Sequence, residues 1–336
     1  MKLTYKKSIF FIVTVMVALG FLSTRAQEEL SMLLDKPVFY LSIEAKKVSF
    51  SASINGMNVY TDLDHFGQIA LDVPVNHYMH PESNTFAVVV YPTKRGGDFD
   101  VSASVSIELR VRPHGVFDKS HRITSIEFDS EGVNSQSDDS HKLSSMSGFS
   151  KSDEGDVFVG SLNVSSGPYY KGSLKLSRDL IVPNSLPEWA FFYSDTVPDY
   201  YDQELVSDED YERDLESLLV EYKKVHDAIK KNDIESVMYL FEERNRETDQ
   251  AFYRNPGETE KIIREDLISS SEDDNLELVD VKASYVSLHP EPNGKVVALK
   301  RDSMNSPVVL NFKEGEGSVH YPMYFRKEDG KWILTR

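Results

Sequence analysis

VHDAIKKNDIESVMYLFEERN, from Val225 to Asn245, writes a helix, a stop and a restart into one short stretch. Leu215, Leu218, Leu219, Tyr222, Val225 and Ile229 recur at helical spacing and form one apolar stripe. Asn232, which tolerates positive φ, ends that helix. Asp233 then caps the next, whose stripe is Ile234, Val237, Met238 and Phe241. Upstream, Ser207 and Asp210 make a partial capping box at the helix start. The pattern predicts two antiparallel helices joined by a very short turn, with a third over 258–268 after the Asn255-Pro256-Gly257 break.

Beyond the helices the chain reads as strand. Candidates run over 276–288, 295–300, 308–312, 318–325 and 331–335, with a His-Pro-Glu-Pro-Asn-Gly turn at 289–294 and Asp329-Gly330 before the last. Helices first and a meander of strands afterwards is an α+β order, assigned here to a domain over 207–336. Residues 196–206 form an acidic linker. From Asp195 to Glu216 there are ten acids opposed by Arg213 alone.

Ahead of that linker, residues 27–195 have the alternating apolar runs of an all-β antiparallel sandwich: VFYLSIEA, VSFSASI, MNVYTDL, QIALDVPV, TFAVVVYP and DVSASVSIELRV. Asn55-Gly56 marks a tight hairpin between the second and third. Further strands are expected over 122–129, 156–164 and 189–193. The Ser-rich stretch 133–155, with eight serines from Ser135 to Ser152, reads as a surface loop inside this domain. The fold class expected is therefore multidomain, a β-sandwich followed by an α+β domain.

The chain opens with Lys2, Lys6 and Lys7, an apolar run from Ile9 to Leu22, and Thr24-Arg25-Ala26. That order is a Sec-type signal peptide over 1–26, with cleavage after Ala26 and a periplasmic or secreted destination. Retention as an anchor is the alternative, although a spanning helix needs about 20 apolar residues. The mature chain has no further segment able to span. With no cysteine in the chain, lipid attachment through a thioether, disulfides and thiolate chemistry are all excluded.

The formal net charge is −18, and the leader holds four basic groups and no acid, so the mature part has 33 Lys and Arg against 55 Asp and Glu. Phosphate backbones repel such a chain, which argues against nucleic-acid binding. A basic protein partner or a bound cation is compatible with it, and a soluble charged surface explains it with neither.

The helical hairpin, the strands after it and the closing YFRKEDGKWILTR resemble the cone-shaped α+β fold of the NTF2-like superfamily, in which a curved sheet wraps around helices. The resemblance covers about the last 130 residues. It implies an enclosed pocket and no particular activity, because a fold hosts many functions. The N-terminal region resembles immunoglobulin-like or jelly-roll sandwiches.

His226 stands on the edge of the apolar stripe, where an imidazole facing such a pocket serves as a general base. It is the weak catalytic candidate, and with Tyr222 and Trp332 it makes up the ligand-pocket candidates. The bland alternative is a half-buried histidine tied to its neighbours. Glu242 and Glu243 are adjacent, about 100° apart on a helix, and are expected to pair with Arg244, Arg246 or Lys231 on a solvated face. His77 and His80, with His65 as a third, are weak metal candidates without the spacing of a strong zinc motif. The chain has no GxSxG elbow, P-loop or GxGxxG, and no cofactor is expected. Aromatic clusters at Tyr169-Tyr170, Trp189 to Tyr193 and Tyr200-Tyr201 offer contact surface.

Together these features suggest an exported, non-enzymatic binding protein acting through a protein partner, such as a periplasmic immunity protein that neutralises a delivered toxin. The alternatives are an NTF2-like enzyme or small-ligand binder using the C-terminal pocket, and a glycan-binding sandwich. The sequence does not specify an oligomeric state.

Overall fold

The computed structural model describes residues 36–63, 67–131, 157–168, 170–182, 184–202, 204–301 and 305–336. The leader 1–26, His65, Tyr169 and the Ser-rich stretch 133–155 lie outside the described residues. No helix among the described residues is long and apolar enough to cross a membrane.

The fold is β-rich and multidomain, with four antiparallel sheets and a few helices. The first lobe faces two sheets across one core. The first sheet has the order β4-β1-β6-β7, with β1 Pro37–Lys46, β4 Gln68–Pro74, β6 Ser104–Pro113 and β7 His121–Asp129. The second runs β3-β2-β5-β10-β8, with β2 Ser49–Ile54, β3 Met57–Asp62, β5 Ser83–Tyr91, β8 Phe158–Val159 and β10 Leu174–Ile181. β9 Asn163–Ser166 also pairs with β10. Alternation decides which side chains meet. Phe39, Leu41 and Ile43 of β1 face Phe86, Val88 and Val90 of β5 in a single apolar cluster. Asn55 and Gly56 close β2 to β3 with φ of 53° and 70°, the left-handed pair a two-residue hairpin demands.

Residues 189–193, expected as a strand, instead make a short 3-10 helix, Ala190–Tyr193. Trp189 is fully buried before it and donates its indole N–H to Asn76 O (3.2 Å). The backbone there bonds away from any sheet: Ala190 N donates to Glu247 (2.9 Å), Phe192 N to Trp189 O (3.1 Å) and Ser194 N to Phe191 O (3.4 Å).

The second lobe begins at α1, Asp208–Lys231. The Ser207 hydroxyl accepts from Asp210 N (3.1 Å) and donates to the Asp210 carboxylate (2.7 Å). Acids fill the first turn and Lys230 and Lys231 the last, as the helix dipole favours. Asn232 closes α1 at φ 52°. The next turn departs from the simple hairpin. Ile234–Phe241 is 3-10 and only then does α2, Glu242–Ala251, begin, although the buried Ile234, Val237, Met238 and Phe241 keep the i, i+3, i+4, i+7 spacing of an α-helix. Asp233 does not cap with its side chain; its carbonyl accepts from Ser236 Oγ (2.7 Å). α3, Glu258–Glu272, starts at Gly257, and its first N–H groups are capped from outside. The Asp249 carboxylate of α2 accepts from Gly257 N and Thr259 N, both at 2.8 Å.

Two sheets cover these helices. One has the order β11-β14-β15, from Leu276–Leu278, Val309–Phe312 and Ser318–His320. The other is β12-β13-β16-β17, from Val286–Pro290, Val296–Arg301, Phe325–Glu328 and Lys331–Leu334. The long strand expected over 276–288 is thus broken, by a 3-10 turn at Ala283–Tyr285. Their core is a second apolar cluster with Leu218, Tyr222, Val225, Phe241 and Phe325. The expected linker contributes to it. Tyr200 is buried there, and its hydroxyl donates to Asp214 (2.6 Å).

A buried polar seam joins the lobes. Asn76 donates to Pro37 O (2.7 Å) and Ala251 O (2.6 Å) and accepts from Phe39 N (2.6 Å). Beside it Arg336 pairs with Glu247 (2.6 Å), donates to His77 O (3.0 Å) and lies over the Phe191 ring (4.6 Å). Glu247 also accepts from Ala190 N (2.9 Å), so both charges are hydrogen-bonded where they are buried.

Candidate functional site

Between the lobes lies a groove of about 850 Å³. Its floor is the outward face of the second sheet of the sandwich. There Ser51, Ser53, Thr85, Ala87 and Val89 present short side chains, because the large apolar residues of β2 and β5 point the other way into the core. The tip of the β2–β3 hairpin closes one side with Asn55, Gly56 and Asn58. The opposite wall belongs to the second lobe: His289 to Asn293, Ala298 to Lys300, and Pro322 to Tyr324.

The turn at 289–294 is the centre of this wall. Glu291, framed by Pro290 and Pro292, is 5 % exposed, and its carboxylate accepts from Asn58 N of the hairpin at 2.7 Å. Its backbone is pinned as well, with Glu291 N donating to Val296 O (2.8 Å) and Gly294 N to Glu291 O (2.9 Å). Burial pushes the Glu291 carboxyl up, against the opposing hydrogen bond from Asn58 and the Lys300 charge. Burial likewise raises the Tyr324 phenol, with Glu291 adding to it, and takes the Tyr78 phenol to about 12. Gly56 packs against the turn from across the groove. A Cβ built on it would lie 2.6 Å from Asn293 N.

His289 bonds through Nδ1 to the Tyr201 hydroxyl and through Nε2 to Ser287 Oγ (3.0 Å). Burial and the Lys300 charge lower it to about 4, so at neutral pH it is an uncharged imidazole and a weak base. The Ser287–His289 contact follows from strand spacing. The same Ser-x-His spacing on β15 brings Ser318 Oγ to His320 Nε2 at 2.6 Å, which marks both pairs as neighbours on one face of a strand.

Of the residues singled out from sequence, Tyr201 lines this groove, whereas Tyr222, His226, Trp332, His77 and His80 do not. Tyr222 is fully buried in the second core. Its hydroxyl donates to Met323 O (2.5 Å) and accepts from Leu299 N (3.0 Å), bridging two strands where the β13–β16 ladder has opened. His226 is 6 % exposed, with Nδ1 3.2 Å from Asp227 Oδ1 and no hydrogen bond at Nε2. Trp332 donates to Ser217 Oγ (2.9 Å), and the Lys327 ammonium stands over its ring at 4.7 Å. Glu243 is not on a solvated face. It holds Arg326 through two bonds of 2.8 and 2.6 Å.

His77 and His80 part company as well. His77 stacks on Tyr78 and Phe252, and burial with the Arg336 and Arg244 charges holds it well below the usual histidine range. His80 accepts from Glu82 N (3.2 Å) and meets the edge of Phe192. Among the described residues no three His, Asp or Glu side chains form a group that could hold a metal. The groove residues Glu291, His289, Lys300 and Tyr324 had one sequence signal, a glutamate set rigidly between two prolines in a turn. Compared with protein-family models, with curated proteins and with solved structures, the chain gives no match.

Proposed function

We propose that this is an exported, non-enzymatic binding protein whose partner is another protein, with the groove between the lobes as the seat for a segment of that partner. The observation that carries the reading is the groove itself: a flat floor of short side chains on a sheet face, walled by a second lobe. Its volume falls within the roughly 300–1,000 Å³ of ordinary ligand clefts, enough for a short stretch of extended chain. Among its described residues the one carboxyl is engaged with Asn58 and the one imidazole is a weak base, which favours a binding surface over an acid and base poised for catalysis.

The finer assignments belong to the same proposal. They are a signal peptide over 1–26 with a periplasmic destination, an immunoglobulin-like or jelly-roll sandwich over 27–195 and an NTF2-like domain over 207–336. The specific version is an immunity partner for a delivered toxin, which the acid-rich surface would steer if that toxin is basic. The test is capture from a periplasmic extract with the mature chain, followed by affinity measurement against each co-encoded toxin. One protein retained at defined stoichiometry supports the proposal. Binding no tighter than to unrelated proteins of the same charge overturns it.

A further inference from the structure

The groove reverses the charge of the chain around it. The protein carries a net charge of −18, yet the cations among the described groove residues, Lys175 and Lys300, outnumber the single acid, Glu291. That acid is already bound to Asn58 N. Lys175 and Lys300 are both half-buried, and neither has an ion-pair partner among the described residues. An acid-rich chain that leaves two half-buried ammonium groups, one on the floor and one on the wall, without a salt bridge among the described residues holds them ready for an anion.

The register places them. Ser51 of β2 lies opposite Val89 of β5, Val89 opposite Lys175 of β10, and Lys175 opposite Ser165 of β9, so Lys175 belongs to a cross-strand row on the floor. Lys300 comes from β13, opposite Ser287 of β12, on the wall of the second lobe. At the hairpin side of the same lining, against Gly56, Asn293 has a buried amide nitrogen with no hydrogen-bond partner. We propose that the groove takes an extended acidic peptide segment, its carboxylates meeting Lys175 and Lys300 and its backbone lying along the floor. This rests on the protein-partner reading and adds the chemistry of the segment.

A peptide fits better than an acidic glycan. Sugar rings stack on flat, exposed aromatic faces, and the floor offers Ser51, Ser53, Thr85, Ala87 and Val89 instead. Of the tyrosines at the rim, Tyr91 stands edge-on to Tyr170 and Tyr201 edge-on to His289.

The test is fluorescence polarisation of the purified protein with three labelled octapeptides: a Gly-Glu, a Gly-Gln and a Gly-Lys repeat. An unlabelled galacturonate oligomer serves as the glycan competitor. The Gly-Glu peptide should bind at least about tenfold tighter than Gly-Gln, the gain from two carboxylate–ammonium contacts, and weaken as salt rises. Lys175→Gln and Lys300→Gln should each weaken it by roughly threefold, with an unchanged thermal midpoint showing that the fold is intact.

Equal binding of Gly-Glu and Gly-Gln, no binding of any peptide, or indifference to both lysine substitutions overturns the proposal. So does an oligogalacturonate that binds more tightly than the peptide with the same dependence on the lysines. The capture experiment, repeated with the double lysine variant, separates the two readings. A partner retained equally by both proteins sinks the acidic-groove proposal alone. A Gly-Glu peptide bound through the lysines, with no protein captured, sinks the protein-partner reading alone.

Discussion

Replacing Gly56 by alanine tests whether the lobes are held at the distance the groove requires. Two costs are expected, and a second glycine separates them. Gly56 has φ +70° and Gly115 has φ +74°, so alanine at either pays the strain of a left-handed backbone, about 1–2 kcal/mol. Around Gly115 nothing lies within 4 Å of the new Cβ, whereas at Gly56 it meets Asn293 N at 2.6 Å and Asn293 Cα at 2.9 Å. Restoring an ordinary contact of 3.4 Å moves the hairpin back by about 0.8 Å. The Asn58 N to Glu291 bond, two residues along on each side, then stretches from 2.7 Å to the limit of a hydrogen bond. Leaving a buried carboxyl and amide apart adds about 1–3 kcal/mol. Equilibrium urea unfolding should therefore show Gly56→Ala losing about 2–5 kcal/mol and Gly115→Ala only about 1–2 kcal/mol. In a Glu291→Ala background the excess at position 56 should shrink, since the bond it breaks is already gone. Equal losses at the two glycines, or an excess unaffected by Glu291→Ala, would refute the reasoning.

The same geometry sets three further outcomes. Burial raises the Glu291 carboxyl above its ordinary value of 4.5, so the folded state binds the proton more tightly and stability is lost as pH rises from there toward the raised value. Glu291→Gln removes that loss, and thermal scans from pH 4 to 8 should show the variant gaining on the parent as pH rises; a constant gap would contradict it. Tyr222→Phe strips the bridge between Met323 O and Leu299 N. It should cost about 1–3 kcal/mol in urea unfolding while leaving partner affinity unchanged, and the reverse pattern would restore Tyr222 to a ligand-binding role. Glu247→Ala leaves the buried Arg336 guanidinium without its carboxylate, and should destabilise by about 3–5 kcal/mol, checked by the same unfolding assay against Glu247→Gln.

Local chemistry was legible wherever it acts over a few residues. Ser207 caps α1, Asn232 ends it with positive φ, and Asn55-Gly56 turns the hairpin, because each effect needs only a backbone and a side chain close in sequence. Alternation in β1, β5 and β6 likewise announces a strand with one buried face. The same rules misread Trp189 to Tyr193, whose apolar run suited a strand but whose Ala190 N–H goes to Glu247, 57 residues away. They also put Glu243 on a wet face, since Arg326 lies 83 residues away.

The groove and the seam are decided at longer range still. Asn76 reaches Ala251 over 175 residues and Glu291 reaches Asn58 over 233. Periodicity and capping specify how each lobe buries its own apolar face. Nothing in either pattern says which outer faces then meet. That choice rests on a glycine small enough to admit Asn293 and on buried polar groups that find partners only once the lobes dock. The elements therefore belong to the sequence read locally. The site belongs to the tertiary structure, because desolvating Glu291 and bringing Lys175 opposite the wall that carries Lys300 requires both lobes in place.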